Sequence, residues 1–152
     1  MSNRVTRSFG SQGPVNRVHH CDEALLQALV TAAALVALSD GQVDMAERDE
    51  LVDFVDRQGF VPTFSRREIA EAFANRVRQL KDRDSASVIV ESLHPLVGQS
   101  LSSIVVRTAE RVAAADRQMH AGEVRALELI QLIMMRLPAQ RSLRAMSRRA
   151  RG

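Results

Sequence analysis

The chain has no tryptophan, no tyrosine, one cysteine, four prolines and seven glycines in 152 residues. Without tyrosine or tryptophan there is little on which unpaired bases could stack, so specific nucleic-acid recognition is not expected. Five phenylalanines are the whole aromatic content, and the core must therefore be aliphatic. A single cysteine excludes an internal disulfide, and Cys21 reads as a reduced thiol near the first helix. The adjacent His19 and His20 do not converge on one ion without help from elsewhere. Sparse proline and glycine leave room for long helices. Also missing are a glycine-rich phosphate loop, a serine nucleophile elbow and a paired-histidine metal motif, while the four histidines are scattered. The chain reads as no enzyme. No apolar run precedes Asp22 and Glu23 that could serve as a secretory signal. The apolar stretch from Ala24 to Leu38 is too short for a membrane span and reads as a buried central helix. The expected location is the cytoplasm.

Charge is present but segregated. All 18 acids lie between Asp22 and Glu128, whereas residues 1–20 carry only Arg4, Arg7 and Arg17, and residues 136–152 carry six arginines and no acid. With 12 of the 21 bases and all 18 acids, residues 21–135 form an acidic body of net charge −6. The organisation read from this is a basic, flexible segment over 1–20, a helical domain over 21–137, and an arginine-rich helix or tail over 138–152. Arg141, Arg144 and Arg148 form one basic stripe, enough for weak, salt-sensitive attraction to an anionic surface.

Helical punctuation predicts an all-α bundle of about seven helices. The first starts near Asp22 as its cap and runs to Ser39. A second runs from Met45 to Gly59, opened by Asp44 and Glu47 as a capping-box pair. Ser65 and Glu68 open a third, to about Leu80. Asp84 caps a fourth, and a fifth spans about Leu101 to Ala115, with Ile104, Val105, Thr108, Val112 and Ala115 on one face. The sixth covers about Ala121 to Leu137, and Pro138 starts the last. Asp49, Asp53 and Asp56 form the wet face of the second helix, and Ile130 to Met135 belong to the core.

Two passages repeat one another. Residues 37–47 (Ala-Leu-Ser-Asp-Gly-Gln-Val-Asp-Met-Ala-Glu) align without a gap on residues 113–123 (Ala-Ala-Ala-Asp-Arg-Gln-Met-His-Ala-Gly-Glu), an offset of 76. Each copy ends an apolar run and begins a charged helical pattern, which marks two helix–turn–helix corners of a pseudo-repeat. Asp40, Gly41, Asp44 and Glu47 match the second half of a calcium-binding loop, but the earlier ligand positions are Val36 and Leu38. An autonomous calcium loop is excluded, and a metal would need ligands from both corners. Capping alone explains Gly41, Asp44 and Glu47. Asp40 and Asp116 end alanine-rich helices, where an acid opposes the helix dipole and needs another reason.

This doubled motif resembles the tellurite-resistance TerB family over about residues 22–137. The resemblance implies a compact all-helical fold of about seven helices, an acidic surface that binds a divalent cation, and a bacterial stress-response role without an enzymatic reaction. It also implies partners in a membrane-associated stress complex, and so a peripheral place at the inner membrane. Carried over by position, the metal residues are Asp40, Asp44, Glu47, Asp116 and Glu123. Arg117 and His120 depart from the pattern, where glycine and an acid are expected. The competing reading is a helical protein–protein adaptor, in which the acidic turns are caps and the arginine-rich tail meets a membrane surface or acidic partners.

Overall fold

From Leu25 to Ala37 every residue except Gln27 and Leu35 is buried. A helix buried on nearly all sides must be built from residues that let neighbours approach from every direction, and five of these thirteen are alanine. In the computed structural model this helix, α1 (Pro14–Ala37), is the axis of an all-α bundle. The structure describes residues 14–82, 85–115 and 117–149, with side chains for 21–82, 85–115 and 117–135. Around α1 stand α2 (Met45–Gln58), α3 (Arg66–Asp82), α4 (Ser85–Leu93), α5 (Ser102–Ala113) and α6 (Ala121–Arg149), with 3₁₀ turns at Leu38–Asp40 and His94–Leu96. No strand occurs among the described residues. The helices pack on α1 chiefly through α5 and α3.

The stretch Cys21–Asp40 is long and apolar enough to cross a membrane by composition, but 67% of the span window is covered by the rest of the protein. It serves here as the core helix. Thr31 fits this setting because its hydroxyl donates to the Gln27 carbonyl at 2.6 Å, which leaves no polar atom for a neighbour to satisfy.

The core is aliphatic as expected, with Leu29, Val30, Val36, Leu51, Val55, Ile69, Leu93, Val105 and Ile130 buried. Phe73 and Phe54 are its buried aromatics. Of the expected face of α5, Val105, Thr108 and Val112 are buried, and Ile104 packs against the core from its edge.

Two helix starts follow local chemistry. The Asp44 carboxylate accepts from the Ala46 amide at 3.2 Å, and Glu47 reaches back to the Asp44 amide at 2.9 Å. At α3, Glu68 accepts from the Ser65 amide at 2.7 Å, and the Ser65 hydroxyl accepts from the Glu68 amide at 3.2 Å. Gly59 closes α2 in the left-handed conformation at φ 63°.

Two boundaries differ from the sequence expectation. α1 starts at Pro14, whose fixed φ suits a first helical position, and not at Asp22. Asp22 instead accepts from the Thr63 hydroxyl at 2.9 Å, tying α1 to the loop before α3. The expected break at Pro138 is absent, and α6 runs to Arg149. A proline has no N–H for the carbonyl four residues earlier. The Gly98 amide takes that carbonyl, of Met134, at 3.3 Å. The segment 1–13 and the expected Asp84 cap lie outside the described residues.

The acids on the wet face of α2 turn out to fasten it to α3, because Arg66 bonds both Asp53 and Asp56. Arg66 holds the Asp53 carboxyl below the usual carboxylate range, and the Ser65 amide does the same for Glu68. A lowered native pKa contributes stability that is present in full above the unfolded value and lost as pH falls through the native one. Acid should therefore loosen the α2–α3 joint. Urea midpoints measured at neutral pH and about pH 3 should fall less for Arg66→Gln than for the parent chain; an equal fall would remove the joint from the acid response.

Candidate functional site

The first corner is the 3₁₀ turn Leu38–Asp40 followed by Gly41 at φ 90°, whose amide donates to the Leu38 carbonyl at 3.0 Å. The Asp40 carboxylate then accepts from the Gln42 amide at 3.1 Å. This turn bond is the local reason for an acid at a helix end, where the dipole alone disfavours one. Asp44 and Glu47 follow as the capping pair of α2, Asp44 exposed and Glu47 only 2% exposed.

The second corner has closely similar backbone chemistry. Arg117 stands at φ 65°, and its amide donates to the Ala114 carbonyl at 3.3 Å. Glu123 accepts from the His120 amide at 2.9 Å, as Glu47 does from Asp44. Glu123 is fully buried at 0% exposure, and its second oxygen, Oε1, has no hydrogen-bond partner among the described residues. Asp116 lies outside them.

A non-glycine residue at Arg117 carries the steric cost of the left-handed region. Arg117→Gly should raise the unfolding free energy by about 1 kcal/mol and Tm by a few degrees. Calorimetry reads this directly, and an unchanged or lower Tm would show that the Arg117 side chain contributes more than its backbone costs.

The corners meet where α6 begins. A Cβ built on Gly122 would stand 2.6 Å from the Ser39 carbonyl oxygen and 3.2 Å from its carbon. Only a residue without a side chain lets the N-terminal turn of α6 lie directly on the first corner. The structure thus joins Asp44 with Glu47 in one cap, and sets Glu123 one residue from the contact with Ser39, next to Asp40. Among the described residues, no three acids, histidines or cysteines converge on a point fit for a metal ion. Gly122 and Ser39 were not singled out by sequence reasoning. The available signal was a glycine in the first turn of a helix, a place where alanine would be the better helix former.

Clefts also open on the surface among the described residues. One of about 310 Å³ between α1 and α3 is lined by Glu23, Gln27, Phe64, Glu68, Glu71 and Arg76. Arg76 bonds the Gln27 side chain, and burial pulls its guanidinium pKa down, with Glu91 opposing. A second, of about 280 Å³, is lined chiefly by Val43, Met45, Phe73 and Val77 beside Asp44. Cys21 is exposed and unpaired by disulfide.

No protein-family model matches the chain, and no solved structure matches its fold. The chemistry of the corners is what remains to suggest a function.

Proposed function

We propose that the chain is a non-enzymatic, TerB-like bacterial stress-response module in which two repeated acidic corners bind one divalent cation. The supporting observation is the buried Glu123 carboxylate. One oxygen caps α6 and the other has no donor among the described residues, and an unmatched buried carboxylate oxygen is costly unless something positive meets it. A cation there would complete its coordination with carboxylates from the first corner and from Asp116. The matching turn bonds, left-handed residues and capping glutamates support reading the bundle as a pseudo-repeat. Asp40 holds the Gln42 amide, and Asp44 holds the Ala46 amide and caps the Glu47 amide. Arg117 nearby opposes tight binding. In this reading the module works in the cytoplasm, peripherally at the inner membrane, with protein partners and a weak anionic attraction through its arginine-rich end.

Thermal unfolding of chelator-stripped protein with calcium, magnesium, zinc or manganese tests the proposal. At a hundredfold excess over Kd, one ion should add about 2.7 kcal/mol, and Glu123→Gln should abolish the gain. A Tm indifferent to all four ions would leave the second reading, an adaptor. That reading has its own support, since Asp40, Asp44, Glu47 and Glu123 all serve their own helix turns.

A further inference from the structure

The cleft between α1 and α3 carries opposite charges side by side. Gln27 links them, because its side-chain amide donates to Glu23 Oε1 at 3.0 Å and its amide oxygen accepts from Arg76 Nη2. A carboxylate from α1 and a guanidinium from α3 are thereby held about one amide group apart. Both have bonding capacity left. The Glu23 side chain makes that one bond among the described residues, and Arg76 keeps a buried Nε–H with no acceptor. No carboxylate stands within ion-pair distance of Arg76 among the described residues. A buried charged donor without an acceptor is costly, and native interiors leave few of them.

The other acids of the cleft are engaged. Glu68 accepts from the Ser65 amide at 2.7 Å, and Glu71 pairs with Arg67 at 3.0 Å. Glu23 and Arg76 are therefore the charges left to meet a guest. Beside them Leu26, Phe64 and Ala72 supply apolar lining, and the cleft holds about 310 Å³. That volume lies at the small end for ligand sites. A guest that suits it carries a carboxylate for Arg76, an ammonium for Glu23 and an apolar group, with the two charges on neighbouring atoms.

We infer that this cleft binds a free α-amino acid with an apolar side chain, its carboxylate on Arg76, its ammonium on Glu23 and its side chain against the apolar lining. A simple carboxylate would meet the repulsion of Glu23, and a simple amine would leave the Arg76 donor unmatched. A peptide carries its terminal charges too far apart to meet both. The cleft involves neither corner, so the inference does not depend on whether the corners bind a cation.

Isothermal titration of the full chain with L-leucine, L-methionine and L-phenylalanine tests this. At least one should bind with one molecule per chain. The tightest is then compared with its two halves, the acid lacking the amino group and the amine lacking the carboxyl group. Each should bind at least about tenfold more weakly, because each leaves one charge of the cleft unmatched. Glu23→Gln and Arg76→Gln should each weaken the amino acid by about the same factor. Glu23 is exposed, so its variant keeps the fold and the test stands even if Arg76→Gln unfolds; circular dichroism checks both. Glu128→Gln, an exposed acid on α6 away from the cleft, should bind as the parent does. No binding by any of the three amino acids, an amine that binds as tightly as the amino acid, or an affinity unchanged by Glu23→Gln would each overturn the inference.

Discussion

Gly122→Val lowers the unfolding free energy by about 3 kcal/mol and Tm by about 10 °C. In an ordinary helix, replacing glycine by alanine gains up to about 1 kcal/mol from the unfolded chain's lost freedom. Here the first added carbon falls 2.6 Å from the Ser39 carbonyl oxygen. That neighbour is backbone, held by the Gly41 turn and by the end of a buried α1, and cannot swing aside as a side chain would. α6 must lift off the first corner, and valine's branched Cβ enlarges the clash. Gly122→Ala should show the same sign at smaller size. Urea denaturation of both variants measures the effect, and a gain in stability for alanine would mean that the corners do not touch as described. Gly41→Ala is the control, because its Cβ would meet nothing within 4 Å and only the positive φ opposes it.

Phe73→Ala should cost about 4 kcal/mol. Phe73 is 1% exposed and heads the fully buried side chains by volume. It stands on α3 with Ile69 one turn before it, against the alanine-rich α1. Removing the ring leaves a hole that small, rigid alanines cannot fill. Some relief comes from the cleft on its outer side, where the exposed Met45 can settle inward. Phe73→Leu should recover most of the loss. Equilibrium unfolding in urea with an unchanged m-value checks both variants; a cost under about 1 kcal/mol would place the ring outside the true core.

What the sequence revealed was what its local chemistry decides. The caps at Asp44 and Ser65 and the stop at Gly59 each depend on residues within three or four positions, and all three are found where the pattern placed them. The features that were misread depend on distant partners. Asp22 looks like a cap until Thr63, 41 residues on, is seen to donate to it. Pro138 looks like a helix start until the Gly98 amide is seen to satisfy Met134. The run from Ile130 to Met135 looked wholly like core, yet Ile130 and Met134 are buried while Leu132 and Met135 face solvent. Apolar residues on both sides of a helix hide its periodicity.

The candidate site divides in the same way. The repeat of Asp40 and Gln42 at Asp116 and Gln118 was visible in the sequence, and so was the pairing of Glu47 with Glu123. Their burial was not, because a glutamate at the third position of a helix is usually a wet cap. Glu123 follows Gly122 directly, and the close approach at Gly122 depends on a backbone carbonyl 83 positions earlier in the chain.

The central claim is that the two corners make one cation site. Isothermal titration of chelator-stripped protein with calcium, magnesium, zinc and manganese, repeated on Asp40→Asn and Glu123→Gln, tests it most directly. The account predicts one ion per chain for at least one of these metals, with binding lost in each variant, since each removes a ligand from a different corner. Absence of binding by any of the four ions, or binding that survives in both variants, would contradict it.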